Sequence, residues 1–196
     1  MRQALRLPSE IPIEARVTIQ RPVADVFAFY RDFENLPRFL GDVMAIERVG
    51  PESYRWTIAG PLGIRLKSTI KVTEERVNEL IRYETTTVPG MRAEWTVRFA
   101  AEADPGRTDP GRTGAGRTDP GRTAAGPTEV HETLKTPFGR LGHVALILVG
   151  KPPAAEVAAN LRRLKQLMET GRVTDTDHAV AGKFDGTPRG ADRSGR

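Results

Sequence analysis

Short runs of alternating apolar and polar residues dominate the chain and predict strands, whereas two stretches show the wider apolar spacing of a helix. Residues 13–19 alternate throughout, which predicts a strand with one buried face. Pro22 suits the first turn of a helix, and apolar residues from Val23 to Phe33 follow at helical spacing. Pro37 interrupts this spacing, and a second short helix is predicted over residues 37–40.

Further strands are predicted between residues 44 and 135, most of them separated by turn signals. Gly-Pro and Pro-Gly pairs at residues 50–51, 60–61 and 89–90 mark three of the turns. Strands joined by short turns pair with their neighbours as an antiparallel meander, and a twisted sheet of this size curls. The predicted strands cover residues 44–49, 53–58, 64–72, 81–87, 94–99 and 129–135.

A long amphipathic helix is predicted near the end of the chain, reaching Glu169, with Gly171 as its C-cap. Arg162, Arg163 and Lys165 are expected on its outer side. The predicted fold class is α+β: a curved antiparallel sheet of about seven strands wrapped around this helix, with two short helices after the first strand. The apolar stripe that the sheet would bury comprises Val157, Leu161, Leu164 and Leu167.

Residues 104–128 form a pentapeptide repeat, DPGRT-DPGRT-GAGRT-DPGRT-AAGPT. Glycine and proline at this density leave little to bury, which predicts a disordered loop inserted between two strands. Residues 173–196 lack periodicity and are predicted to form a disordered tail. One domain is therefore expected over residues 11–172, interrupted by the repeat.

The longest apolar run, residues 144–149, lies in a predicted short helix over residues 141–149. A membrane-spanning helix needs about 20 apolar residues, so this run is too short to cross a bilayer. It is expected to form core or the mouth of a pocket. The alternative is an exposed lid, in which Arg140, Lys151 and Arg162 would meet anionic headgroups and any membrane contact would be peripheral. No signal peptide is visible at the N-terminus, and the predicted location is the cytoplasm.

Two segments carry a family resemblance, RPVADVFAFYRDFENLPRF at residues 21–39 and NLRRLKQLMETG at residues 160–171. They resemble the SRPBCC superfamily, and within it the bacterial polyketide cyclase/dehydrase-like proteins related to START and Bet v 1 domains. The resemblance covers residues 11–172 without the repeat. It implies a helix-grip fold, in which sheet and helix enclose a cavity for sterols, quinones, lipids or polyketide intermediates. It carries over no catalytic residue and implies structural roles for Phe27, Asp32, Phe33, Asn35 and Pro37.

Composition and charge exclude several classes of function. The net charge of +5 is spread along the chain without a basic block that would follow phosphates, so no nucleic acid is expected as a partner. The chain has no cysteine, and its three histidines lack the spacing of metal ligands, so no metal site is predicted. No glycine-rich phosphate loop lies between a strand and a helix, and no cofactor is predicted.

Inward positions of the predicted strands carry aromatic and small polar side chains. Aromatic rings suit planar lipophilic ligands, although an ordinary core is the alternative explanation. Small side chains such as Ser68 and Thr85 would leave room between the rings. The predicted lining of a ligand pocket comprises Tyr54, Trp56, Ser68, Tyr83, Thr85, Trp95, Phe99, Glu132, Leu161 and Leu164.

Glu132 is the candidate catalytic residue, at an inward position that is apolar in the family that the chain resembles. Burial would raise its pKa, and the neutral carboxyl could then donate a hydrogen bond to a ligand carbonyl or act as a general acid or base. The alternative is a bulge or a slipped register that turns Glu132 to solvent, because a slip of one residue reverses the whole face.

Two functions are consistent with these residues. The first is a binding or carrier protein for a small hydrophobic ligand, such as a lipid, a quinone or a polyketide-like molecule. The second is an aromatase/cyclase- or dehydratase-type enzyme that uses the same cavity for a polyketide-like substrate. Such an enzyme needs several positioned acid and base groups, and the sequence offers Glu132, Tyr54, Tyr83 and Ser68 without a recognisable set. This scarcity favours the binder, and the ligand and the oligomeric state stay open.

Overall fold

The computed structural model describes residues 12–59, 64–88, 91–102, 126–135 and 153–184. The predictions for the N-terminal residues, for most of the repeat, for the helix over residues 141–149 and for the last residues of the tail lie outside this part of the chain. The first and last elements of the predicted domain are both described.

Strands form one antiparallel sheet, in the order β1-β7-β6-β5-β4-β3-β2. Every strand except β1 pairs with its neighbour in sequence, and β1 pairs with β7. The predicted meander and the predicted fold class are therefore confirmed. The strands are β1 Ile13–Ile19, β2 Val43–Gly50, β3 Ser53–Ala59, β4 Arg65–Arg76, β5 Leu80–Val88, β6 Met91–Ala101 and β7 Thr128–Lys135.

The helices follow the predicted order, with one difference of type and position. Helix α1 spans Val23–Arg31 and helix α2 spans Pro153–Thr170. The second short helix is a 3-10 helix over Phe33–Arg38 rather than a helix that starts at Pro37. Its earlier start has a local cause, because the Asp32 side chain caps it by accepting a hydrogen bond from the Glu34 N–H.

The end of α2 confirms the predicted glycine cap. Gly171 has a positive φ of 75°, a backbone conformation that side chains with a Cβ rarely adopt. Its N–H donates to the Leu167 carbonyl at 2.9 Å, which is the closing bond expected of a left-handed cap. The stripe of α2 is buried as predicted, at Val157, Leu161, Leu164 and Leu167.

Arg163 corrects one sequence prediction, because it is fully buried rather than on the outer side of α2. Its guanidinium donates to the Phe39 carbonyl at 2.7 Å and to the Asp177 carbonyl at 2.6 Å. A third bond goes to the Asn160 side chain, which also accepts the Gly41 N–H at 2.9 Å. A buried guanidinium is tolerated when acceptors surround it in this way.

Residues 173–184 are the part of the predicted disordered tail that the structure describes. They contain no helix or strand, yet they pack against the domain. The Val180 N–H donates to the Gly41 carbonyl at 3.0 Å, and the Lys183 ammonium donates to the carbonyls of Leu40 and Val43. A Cβ on Gly41 would lie 2.8 Å from the His178 carbonyl oxygen, so this close approach requires glycine.

The described residues contain neither a membrane-spanning helix nor a metal-binding group. No helix within those ranges is long and apolar enough to cross a membrane. No group of three or more His, Cys, Asp or Glu side chains in the same ranges is arranged to hold a metal ion.

Candidate functional site

The inner face of the sheet carries the predicted pocket residues, because alternation turns every second side chain of β3 to β7 inward. Of the eight predicted pocket residues that lie on strands, seven are buried and Trp95 is half-buried. Leu161 and Leu164 of α2 are buried as well. The buried residues on the strands are Tyr54, Trp56, Ser68, Tyr83, Thr85, Phe99 and Glu132.

Glu132 points into the domain from the middle of β7. It pairs with Ala15 of β1 and with Val97 of β6, and neither pairing has a register shift. The residue is only 1% exposed, and inward and outward positions alternate regularly along β7. A slipped register or a bulge at this point is therefore excluded, and a carboxyl group lies among apolar neighbours.

Two phenols accompany this carboxyl group. The Tyr30 hydroxyl, from α1, donates to Glu132 Oε1 at 3.1 Å. The hydroxyls of Tyr30 and Tyr83 lie 3.4 Å apart, at the limit of a hydrogen bond. All three residues are at most 1% exposed. We name Tyr30, Tyr83 and Glu132 the interior polar triad.

Burial controls the protonation of the interior polar triad. Loss of water raises the pKa of Glu132 from 4.5 to about 7, although the hydrogen bond from Tyr30 opposes part of the rise. Burial also raises the pKa of Tyr30 and of Tyr83 well above 10, and the charge of Glu132 raises both further. At neutral pH the tyrosines stay neutral, while Glu132 can gain or lose a proton.

Two tryptophans add unpartnered donors to the interior. The ring of Trp95 stacks on Tyr83 with centroids 6.0 Å apart and planes 7° apart. Trp56 lies on β3 directly opposite Ser68 of β4. The indole N–H groups of both tryptophans are buried and have no hydrogen-bond partner among the described residues. Buried indole N–H groups usually have a partner, so these two call for an explanation.

Aromatic residues extend along the inner face of the strands. Phe99 meets Phe27 and Tyr30, with ring centroids 5.3 and 5.8 Å apart. Leu161, Leu164 and Trp56 belong to one apolar cluster, and Trp95 packs against it. Trp56 lies on β3 and Trp95 on β6, and Ser68 and Thr85 lie on the two strands between them. We name this part of the inner face, from Trp56 to Trp95, the tryptophan side.

Tyr30 is the component of the site that sequence reasoning missed. Its position fits the apolar stripe of α1, where a tyrosine is an unremarkable core residue. The hydroxyl was the available signal, because a buried phenol needs a polar partner. That partner, Glu132, lies 102 residues away in the sequence, and no local pattern connects the two.

Comparison with known proteins gives this architecture a family. The sequence matches the family described as "Polyketide cyclase / dehydrase and lipid transport" over residues 10–169. The chain belongs to this family. The membership agrees with the resemblance found in the two sequence motifs, and with the helix-grip fold of the structure. No curated protein matches the chain.

Solved structures share the fold at low sequence identity. A protein from Deinococcus radiodurans is 21% identical with a TM-score of 0.54, covering 82% of this chain and 99% of that chain. A START superfamily protein from Mycobacterium smegmatis is 12% identical with a TM-score of 0.53, covering 80% and 98%. DynU16, from the dynemicin biosynthetic locus, is 16% identical with a TM-score of 0.54, covering 84% of this chain and 49% of that chain. These likenesses support the fold alone.

Proposed function

We propose that this protein binds a small hydrophobic ligand that carries hydrogen-bond acceptors, on the tryptophan side of the grip. The observation that carries the proposal is the pair of buried indole N–H groups of Trp56 and Trp95, which have no partner in the part of the chain that the structure describes. Leaving a buried donor unsatisfied costs about 1–3 kcal/mol. A ligand oxygen could accept from such a donor and remove that cost. The family description, which includes lipid transport, supports the same class of ligand.

The shape of the surroundings supports a flat ligand. Trp95 and Tyr83 are nearly parallel, and Thr85 and Ser68 are the small side chains of the same inner face. Aromatic walls with a few polar groups are the usual composition of a site for a lipophilic molecule. A quinone or a polyketide-like molecule combines a planar apolar body with carbonyl oxygens and so fits these walls.

The interior polar triad supports a second candidate, an enzyme of the cyclase or dehydratase type. A carboxyl group with a pKa of about 7 suits proton transfer near neutral pH. Tyr30 holds that group in place through its hydrogen bond. The binder remains the first proposal, because binding needs only the donors and the walls, whereas turnover also needs the ligand to reach Glu132.

Intrinsic fluorescence provides a direct test, because the chain contains only two tryptophans and both lie in the proposed site. Titration with a quinone or a hydroxylated polycyclic aromatic should change the tryptophan emission and saturate. Organic extraction, with native mass spectrometry of the purified protein, identifies any ligand already bound. If neither emission nor mass responds to any apolar probe, the binding proposal fails.

The role of the N–H groups is tested by Trp56→Phe and Trp95→Phe, each of which keeps an aromatic ring and removes the donor. A ligand with carbonyl oxygens should lose about tenfold in affinity, since a net hydrogen bond is worth about 1 kcal/mol or slightly more. A hydrocarbon analogue of similar shape is the matched control and should lose much less. Equal losses for both ligands would show that the rings matter and the donors do not.

The enzyme candidate is tested by Glu132→Gln. Loss of turnover in this variant, with ligand binding retained, would favour the enzyme.

A further inference from the structure

The start of β4 exposes two apolar side chains that its pattern would bury. Ile64 is 55% exposed and Leu66 is 39% exposed, whereas Ser68, Ile70 and Val72, farther along the same face, are buried. Leu66 pairs with Ile58 of β3 at the end of this hairpin. An apolar face therefore continues past the covered interior and ends in solvent.

The opposite face of the same two strands is basic. Arg55 on β3 and Arg65, Lys67 and Lys71 on β4 are all exposed and share the outer side of the sheet. None of the four forms an ion pair with another described residue. By contrast, Arg82 and Arg92 on the outer face of β5 and β6 are paired with glutamates. We name Arg55, Arg65, Lys67 and Lys71 the basic stripe.

The acidic residues near the basic stripe do not neutralise its positive charge. Glu84 lies opposite Lys71 across the β4–β5 pair, but it is 3.5 Å from the guanidinium of Arg92. Glu47 lies opposite Arg55 across the β2–β3 pair and forms no ion pair within the described ranges. The stripe therefore has four cations and one unpaired acidic neighbour.

We propose that the β3–β4 hairpin end docks on a membrane surface rich in anionic lipids. Exposed apolar side chains on one face of the strand ends and flexible cationic ones on the other match the two layers of a bilayer interface, where the apolar group enters and the cation remains at the phosphates. Each Lys or Arg near an anionic surface adds about fivefold to binding. Nucleic acid would use the cations but would gain little from Ile64 and Leu66.

Docking at this point would place a membrane next to the proposed ligand site. Moving inward from the exposed Leu66 and the half-buried Ile58 opposite it, the next inward-facing pair is Ser68–Trp56, about 7 Å away along the strand. A lipophilic molecule could then pass between bilayer and grip without crossing water. Only this passage rests on the proposed function, since docking itself is measured without ligand.

Vesicle binding by the full chain tests the proposal. The protein is sedimented with phosphatidylcholine vesicles that contain either no phosphatidylglycerol or about 30% of it, which makes the vesicle surface strongly anionic. We expect binding only to the anionic vesicles and loss of binding in high salt, because added ions screen exposed charges. Arg65→Gln with Lys67→Gln, the two cations of the basic stripe nearest the hairpin end, should weaken binding about 30-fold. Ile64→Ser with Leu66→Ser should weaken it about tenfold or more.

Two control variants match these changes elsewhere on the surface. Val77→Ser removes an apolar side chain that is 69% exposed just beyond the other end of β4, about 40 Å farther along the chain. Arg98→Gln removes an exposed, unpaired cation of β6. Both should bind as the parent does. Melting curves of every variant, compared with that of the parent, check that the fold is intact.

Three results would overturn the proposal. One is an absence of binding to anionic vesicles, and another is an equal loss in the controls and in the hairpin variants. The third is displacement of the vesicles by duplex DNA, together with unchanged vesicle binding by the variant that carries Ile64→Ser and Leu66→Ser. This result would show that the basic stripe binds polyanions in general. None of these results bears on the tryptophan fluorescence titration, so docking and ligand binding can fail separately.

Discussion

Replacing Glu132 by glutamine should make the protein more stable at pH 8 and leave its stability nearly unchanged at pH 4.5. The folded state holds the pKa of this carboxyl group at about 7 instead of 4.5, because the group is buried. Well below pH 4.5 the group is protonated in both states and contributes no difference, and at pH 4.5 the difference is still less than about 0.5 kcal/mol. As the pH rises towards 7, the unfolded chain releases this proton while the folded protein retains it, so stability falls.

The size of the effect follows from that shift. A rise from 4.5 to about 7, at 1.36 kcal/mol per pKa unit, corresponds to about 3 kcal/mol. The parent should therefore lose about 3 kcal/mol from this group between pH 4.5 and pH 8. Glutamine has no proton to release, keeps the shape of the side chain and can still accept the Tyr30 hydroxyl through its amide oxygen.

Urea unfolding at several pH values measures this difference. The free energy of unfolding of Glu132→Gln minus that of the parent should rise from near zero at pH 4.5 to about 3 kcal/mol at pH 8. Subtracting the parent cancels the titration of the other groups. Glu129→Gln is the matched control, since Glu129 lies on the outer side of the same strand and forms an ion pair with Arg16 at 3.7 Å. It should change stability by less than about 0.5 kcal/mol at every pH.

A flat difference between pH 4.5 and pH 8 would refute the reasoning. It would mean that the folded protein ionises Glu132 as easily as the unfolded chain does, which requires water or a cation beside the group. A variant that is less stable than the parent at pH 8 would contradict the reasoning more strongly, because it would indicate that the ionised carboxylate stabilises the fold. In either case the carboxyl group of Glu132 could not hold a proton at neutral pH.

Three other substitutions test the fold and the interior. Leu164→Ala should lower the free energy of unfolding by about 2–5 kcal/mol in urea, since the residue is fully buried in the main apolar cluster. Replacing residues 103–126 by an Asn-Gly turn should leave the melting temperature unchanged or slightly raised, because the Glu102 N–H already donates to the Pro127 carbonyl at 2.8 Å. Ser68→Phe should abolish binding of an apolar dye with little change in melting temperature. A lowered melting temperature and a parent that binds no dye would instead indicate a closely packed interior, which overpacking destabilises by about 1–3 kcal/mol.

Alternation along the strands was sufficient to predict which side chains face inward. It placed Glu132, Tyr83 and Trp56 on the inner face because burial on one side of a sheet has a period of two residues. The apolar stripe of α2 followed from its helical period in the same way. Both patterns are local, and each strand or helix displays them without reference to the rest of the chain.

Contacts between distant segments could not be predicted by these means. Arg163 is buried because backbone carbonyls of Phe39 and Asp177 surround it, and a backbone carbonyl leaves no trace in the identity of its residue. The packing of residues 173–184 depends on the carbonyls of Leu40, Gly41 and Val43 and on the space beside Gly41. Exposure of Ile64 and Leu66 also has no local signal, because their pattern is that of the buried positions that follow them.

The polar groups of the interior are not required by the fold. Glu132 lies between Ala15 and Val97, where an apolar side chain would avoid the cost of about 3 kcal/mol at neutral pH. The unpartnered N–H groups of Trp56 and Trp95 add about 1–3 kcal/mol each. Costs of this kind are typical of functional sites, since a ligand that satisfies the groups can recover them. A ligand with oxygens placed for both N–H groups should therefore raise the melting temperature more than a hydrocarbon of equal size bound to the same fraction of sites.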